Sequence, residues 1–264
     1  MTFPKRSLGQ NFLADHNLQR KVVRALGASG DDEVLEIGPG RGELTRHLAG
    51  GVRRLVLVEL DAALAGSLRR RYADDPSVEV INADVLRVRL EEVSEDVAAL
   101  KVIGNIPYNI TTPILFSLLE RRPRPRELLL MVQREVAGRI LARPGTKQYG
   151  ALSVGVRSVA SAERVLNVSR TAFRPVPEVD STALRVTPHR PPRLSEQEER
   201  ALRGLTRAAF SRRRKQLGTT LRDGYGLEPD TLSSLAEELE LELSARPETL
   251  SPERFVELAR ALSR

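Results

Sequence analysis

Between residues 32 and 188, short β-rich runs alternate with helical patterns, and no other feature limits the possible folds of this chain as strongly. The candidate strands are Glu33–Ile37, Leu55–Glu59, Val78–Asn82, Leu100–Gly104, Glu127–Val132, Leu152–Ser158 and Thr182–Thr187. Helical segments separate the earlier ones. A strand that crosses over through a helix returns parallel to itself, and right-handed βαβ units place helices on both faces of the sheet. The pattern therefore predicts an α/β domain with a mostly parallel sheet. The last two β-runs have no clear helix between them, which suggests an antiparallel hairpin at one edge.

Thr187-Pro188-His189-Arg190-Pro191-Pro192 can continue neither strand nor helix and reads as a linker. Ser195 followed by Glu198 is a capping-box pattern. Helical segments follow at roughly 195–210, 213–222, 229–240 and 252–262. The expected division is an α/β domain over 1–190 and a small all-α domain over 191–264.

Composition narrows the classes of function. There are no cysteines, which removes disulfides, cysteine nucleophiles and cysteine-held metals. His16, His47 and His189 are far apart in sequence, so no metal is expected. No apolar run approaches the length of a membrane span, and the first residues lack an apolar signal core, so a cytoplasmic location is expected. The net charge of +7 points to a polyanionic partner. The charge is patterned: eight basic and no acidic residues lie between Arg200 and Arg222, whereas four basic and ten acidic residues lie between Asp223 and Arg264. The basic block (Arg200, Arg203, Arg207, Arg212, Arg213, Arg214, Lys215, Arg222) suits phosphates. No sequence signal for a dimer seam is present, so a monomer is expected.

Candidate ligand residues fall at strand ends. The first strand runs into Gly38-Pro39-Gly40-Arg41-Gly42, where glycines allow close backbone approach. Their spacing is not that of a dinucleotide site, because the third glycine comes one residue early. With no hydride-handling constellation either, an NAD-dependent oxidoreductase is excluded. Glu59 ends the second strand, 19 residues after Gly40, where an acid can grip ribose hydroxyls. Asp84 follows the third strand and can accept from an adenine amino group. One such acid would be a solvated loop carboxylate; together with the glycine turn, at successive strand ends, they read as an S-adenosylmethionine site. Lys5-Arg6-Ser7-Leu8-Gly9-Gln10-Asn11-Phe12-Leu13, within the first thirty residues, suits a segment that folds over this cofactor.

Asn105-Ile106-Pro107-Tyr108 ends the fourth strand. An amide, a proline-fixed backbone and an aromatic ring can hold a flat base that carries an exocyclic amine. Asn105 Oδ1 and the Ile106 carbonyl would accept from that amine while Tyr108 stacks on the ring. This is the equipment needed to methylate adenine N6, on a base that is unpaired or flipped out.

These stretches, with Gln133-Arg134-Glu135-Val136, Tyr149-Gly150-Ala151-Leu152-Ser153-Val154, Phe173-Arg174-Pro175-Val176-Pro177-Glu178-Val179-Asp180-Ser181 and Ala209-Phe210-Ser211-Arg212-Arg213-Arg214-Lys215, occur in an order that closely resembles the KsgA family of ribosomal RNA adenine N6,N6-dimethyltransferases. The resemblance runs from residue 5 to about 222, and the Erm methyltransferases are relatives. It implies a Rossmann-like, S-adenosylmethionine-dependent methyltransferase domain and a C-terminal RNA-binding domain. By this resemblance Asn11, Leu13, Gly38, Glu59, Asp84 and Asn105 contact the cofactor. Asn105, Pro107 and Tyr108 form the acceptor site, with Phe173, whose flanks are loop-like, as a second aromatic wall. The implied substrate is a pair of adjacent adenosines near the 3′ end of 16S ribosomal RNA in the small (30S) subunit. Two alternatives stay open: an Erm-like enzyme acting on 23S RNA, and an assembly factor whose binding outweighs its catalysis. One departure from the family pattern is Gly218-Thr219, where a basic or amide residue is usual, and it bears on a phosphate contact.

Overall fold

A computed structural model describes residues 9–211 and 215–263. Its contacts divide the chain into two compact units, one of residues 1–137 and 163–188, the other of 138–162 and 189–264. Among the described residues, no helix is long and apolar enough to cross a membrane.

The first unit opens with β1 (Phe12–Leu13) and α1 (His16–Leu26). Asp15 caps α1 by accepting from the N–H groups of Asn17 and Leu18, and Gly27 closes it in the left-handed conformation. Then follow β2 (Glu33–Ile37), α2 (Thr45–Leu48), β3 (Arg54–Glu59), α3 (Ala62–Arg71), β4 (Val78–Asn82), β5 (Lys101–Asn105), α4 (Thr111–Leu119), β6 (Glu127–Gln133) and α5 (Arg134–Leu141). Between β4 and β5 the expected helix is replaced by one 3-10 turn at Leu90–Glu92.

α6 (Ala151–Arg157), β7 (Ala160–Val168), β8 (Phe173–Arg174) and β9 (Ser181–Pro188) come next. The strand order in the large sheet is β4-β3-β2-β5-β6-β9-β7. β2 to β6 are parallel, and β9 returns antiparallel to β6. The chain winds outward from β2 in one direction and, from β5, in the other. The crevice beyond the carboxyl ends of β2 and β5 is thus a topological switch point, where open α/β sheets bind ligands.

Two strand expectations are corrected. Leu152–Ser158 is helical, as α6, because Gly150 starts a helix there: Ser153 Oγ accepts the Gly150 N–H at 3.1 Å. The strand beside β9 is instead β7, so no hairpin of 152–158 with 182–187 exists, and β9 lies inside the sheet rather than at its edge. β1 and β8 form a separate two-stranded antiparallel pair, Leu13 opposite Phe173.

The second unit adds α7 (Glu196–Ser211), α8 (Leu217–Tyr225), α9 (Pro229–Glu238) and α10 (Pro252–Ala261). The capping box forms: Glu198 Oε2 accepts the Ser195 N–H at 2.6 Å and Ser195 Oγ accepts the Glu198 N–H at 3.2 Å. The expected boundary at 190–191 leaves 138–162 in the first domain, but α6 packs on α7 and α10 and groups with them. Tyr149 explains why: it is fully buried and donates to the Leu250 carbonyl at 2.7 Å, its ring meets Phe210 edge-on, and Phe210 stacks on Phe255. Gly218 packs closely on Leu243, where a Cβ would meet Leu243 Cβ at 3.2 Å, so this departure serves packing. Of the expected basic block and N-terminal arm, Arg212 to Arg214 and the stretch up to Leu8 lie outside the described residues.

Candidate active site

The site begins with the turn after β2. Gly38 and Gly40 take positive φ angles of 64° and 61°, which side chains with a Cβ rarely adopt. At Gly40 space forbids one as well, since a Cβ would stand 2.9 Å from the Phe12 ring. That ring, with the Arg41 guanidinium 4.5 Å from its centroid, brings the N-terminal strand over the glycine turn.

Glu59, at the end of β3, is buried, and each carboxylate oxygen takes one backbone donor: Oε2 the Gly40 N–H at 3.0 Å, Oε1 the Asp61 N–H at 2.8 Å. Each oxygen keeps acceptor capacity for a further hydroxyl, as a vicinal diol requires. Burial raises the Glu59 pKa against the lowering effect of those donors. Asp84 follows β4, with Oδ1 accepting the Leu86 N–H at 3.0 Å.

Asn105 ends β5. Its Nδ2 donates to the Asn11 carbonyl at 2.7 Å. A carbonyl partner fixes which end of the amide is the nitrogen, so Oδ1 is the end available as an acceptor. Leu13, two residues on from Asn11, has its carbonyl held by Gln19 Nε2 at 2.6 Å. Gln19 Oε1 in turn meets both His16 Nδ1 (3.0 Å) and His47 Nε2 (3.1 Å), so both ring nitrogens must be protonated to satisfy it. Tyr108 is half-buried, and its hydroxyl shares a 2.6 Å hydrogen bond with Ser181 Oγ. Burial raises the phenol's pKa, and the Asp180 charge adds to the rise.

One pocket in the first unit is lined by Asn11, Leu13, Gly38, Glu59, Asp84, Asn105, Pro107 and Tyr108. Phe173 is not among its walls, and this expectation is corrected. Phe173 is 0% exposed and packs in the core with Leu13, Val22 and Met131. Successive side chains of a strand point to opposite faces, so in β8 the exposed Arg174 implies a buried Phe173.

The sequence reading also missed residues. Glu36 and Glu43 line the same pocket. Glu36 is 1% exposed and accepts from Thr45 Oγ1 at 2.7 Å; burial, with the charges of Glu43 and Glu59, pushes its pKa up to about 8. The signal was a carboxylate inside a strand, Glu33-Val34-Leu35-Glu36-Ile37, whose residues are all buried. Glu43 and Glu59 beside the glycine turn make the pocket complementary to a ligand that carries positive charge, as a sulfonium with an α-amino group does, while burial favours the protonated form of Glu36. Gln19 and Ser181 gave no comparable signal, since each acts through hydrogen bonds whose partners no local sequence pattern reveals.

The sequence matches the family described as ribosomal RNA adenine dimethylase over residues 2–261. A ribosomal RNA small subunit methyltransferase A from Geobacter metallireducens is 41% identical over 98% of this chain and 95% of that one. Another of that description, from Levilactobacillus brevis, is 39% identical over 97% and 89%. Among solved structures, a dimethyladenosine transferase from Plasmodium falciparum matches with a TM-score of 0.81 at 25% identity, covering 94% of this chain and 95% of that chain. The 23S rRNA methyltransferase ErmE matches with a TM-score of 0.72 at 28% identity, covering 96% and 100%.

Proposed function

The chain belongs to the ribosomal RNA adenine dimethylase family, and from that premise we propose that it dimethylates N6 of two adjacent adenosines in the 3′-terminal hairpin of 16S RNA within the small ribosomal subunit. It is an S-adenosylmethionine-dependent ribosomal RNA adenine methyltransferase. The observation that carries the finer reading is the tie between Asn105 and Asn11, which joins the Asn-Ile-Pro-Tyr turn to the strand over the glycine loop inside one pocket.

The cofactor supplies an electrophilic methyl group on a positively charged sulfur. Glu59 would hold the ribose hydroxyls, Asp84 would accept from the adenine amine, and Glu43 beside the glycine turn would help to balance the positive charge. The acceptor base lies against Tyr108, whose hydroxyl is anchored by the Ser181 hydrogen bond; stacking of this kind contributes roughly 1–3 kcal/mol per base. Asn105 Oδ1 and the Ile106 carbonyl accept the two N6 hydrogens. That favours a pyramidal nitrogen with an available lone pair, where the free base delocalises it into the ring. Ile106 is held in place by its own N–H, which donates to the Met131 carbonyl at 3.2 Å. Positioning and electrostatics carry the rate, and the proton leaves to water once the methylated amine has become acidic. We place the protein in the cytoplasm, acting as a monomer, with the second unit contributing RNA contacts through the basic face of α7.

The test is transfer of labelled methyl groups to two substrates in parallel, small subunits lacking the modification and naked 23S RNA. Two methyl groups on each of two neighbouring adenosines in the small subunit is the expected result. Label on the 23S RNA alone would move the chain to the Erm-like activity, and cofactor binding without transfer to either would leave an assembly factor.

A further inference from the structure

Four large hydrophobic side chains are exposed among the described residues: Leu60, Leu86, Val176 and Val179. Leu60 lines the cofactor pocket and Leu86 follows Asp84, so those two belong to the site already described. Val176 and Val179, 50% and 42% exposed, have no such partner. They stand on one loop, residues 175–180, between β8 and β9.

The loop is anchored at both sides of the valines. Pro177, between them, is buried. Asp180 Oδ1 accepts the Arg170 N–H at 3.0 Å, Asp180 Oδ2 takes the Arg134 guanidinium at 3.2 Å, and the Asp180 carbonyl accepts the Arg134 N–H at 2.9 Å. The next residue is Ser181, which holds the Tyr108 hydroxyl. The sheet register places the loop on the same rim as the acceptor turn: Ser181 pairs with Gln133 at the carboxyl end of β6, and Asn105 pairs with Met131 on that same strand. Arg134, Arg170 and Arg174 are exposed around it; of the loop's two acidic side chains, Asp180 is engaged by Arg134 and the Arg170 N–H, and Glu178 is exposed. Two rigidly mounted aliphatic groups ringed by guanidinium groups are costly to leave in water and suit a surface that is apolar inside and phosphate-bearing outside.

A stacked nucleic acid is such a surface. Proteins that unstack bases insert aliphatic wedges between them while arginines hold the flanking phosphates. Resting on the reading above, we propose that Val176 and Val179 form a wedge that enters the space left by the target adenosine as it turns out of its stack toward Tyr108. The wedge acts on the neighbouring base and touches neither the cofactor nor the reacting amine. Val176 and Val179 are therefore positioning residues, whose contribution depends on how strongly the target is stacked.

The test uses the full-length protein with the exposed pair replaced, Val176→Ser with Val179→Ser, neither of which belongs to the buried core. Two substrates are compared: small subunits lacking the modification, and the same subunits rebuilt with an abasic nucleotide beside the target adenosine. The wedge is needed only on the first. We expect kcat/KM to fall about tenfold there, equivalent to about 1.4 kcal/mol, and by no more than about twofold on the abasic substrate. Equal loss on both substrates, or no loss on the first, overturns the wedge and leaves the methyltransferase reading intact. Wild-type protein that labels neither substrate overturns that reading, and the wedge with it.

Discussion

Asn105 serves two parts of the site with one amide in the proposed mechanism: its nitrogen end ties down Asn11, and its oxygen end is left to accept from the incoming amine. Asn105→Ala should therefore lower turnover by about 10²–10³, the range for removing one hydrogen-bonding group aimed at developing charge. Cofactor affinity should fall by less, about tenfold, which a loss of one or two kcal/mol corresponds to. Single-turnover methyl transfer beside calorimetric binding separates the two effects, and wild-type turnover would sink the mechanism. Glu36 gives a prediction of a different kind. Its carboxyl titrates near 4.5 ordinarily and near 8 in the fold, because burial penalises the charge. The folded state thus binds a proton that the unfolded chain has released. The stability this provides is complete below about 4.5 and is lost as pH rises to about 8. Between pH 5 and pH 8, without cofactor, the wild type should lose on the order of a few kcal/mol relative to Glu36→Gln. Thermal melts of both proteins across that range give the answer; a pH-independent difference would refute it.

At the scale of elements, β1 is two residues long and still forms part of the roof of the pocket. It is held by pairing with β8, by Gln19 at the Leu13 carbonyl, and by Phe12 lying where a Cβ on residue 40 would be. Gly40→Ala should cost about 1–2 kcal/mol for the left-handed backbone alone, displace Phe12, and weaken cofactor binding more than it weakens folding. Denaturant midpoints and cofactor affinity, measured on one preparation, distinguish the two. The parallel strands β3, β5 and β6 were legible in sequence because they are buried on both faces and read as apolar runs ending in polar residues, and β4, half-exposed at the sheet edge, because it interleaves valine and isoleucine with polar residues. For the same reason the residues at their ends, Gly38, Glu59, Asp84 and Asn105, could be picked out. α6 was not legible: Ala151 to Val156 carries valines and a glycine that suit either state, and a hydrogen bond from Gly150 to Ser153 decides it. β7 was hidden because Ala160-Ser161-Ala162-Glu163-Arg164 is polar, as an edge strand can be. Phe173 misled because its neighbours Arg174 and Pro175 are exposed while its own side chain faces the core.

For the whole molecule, net charge and its placement are what the proposed contact with RNA rests on. Arg200, Arg203 and Arg207 are exposed and recur at helical spacing on α7, so they share one face. Replacing all three with glutamine should reduce the slope of log affinity against log salt by about two to three, at roughly 0.7–0.9 per phosphate neutralised. Filter binding at several salt concentrations measures it, and an unchanged slope would mean that this face meets no phosphate. The order of strands in the large sheet carries a last consequence, for synthesis. β9 is the antiparallel neighbour of β6 but follows it by about fifty residues, with α6, β7 and β8 made in between. Until Ser181 to Pro188 has left the ribosome, β6 keeps one unpaired edge of apolar residues, Leu128 to Val132. Such an edge templates association with other chains. A nascent chain stalled within that stretch is thus a sticky intermediate, and the arrival of one late strand turns it into a closed sheet.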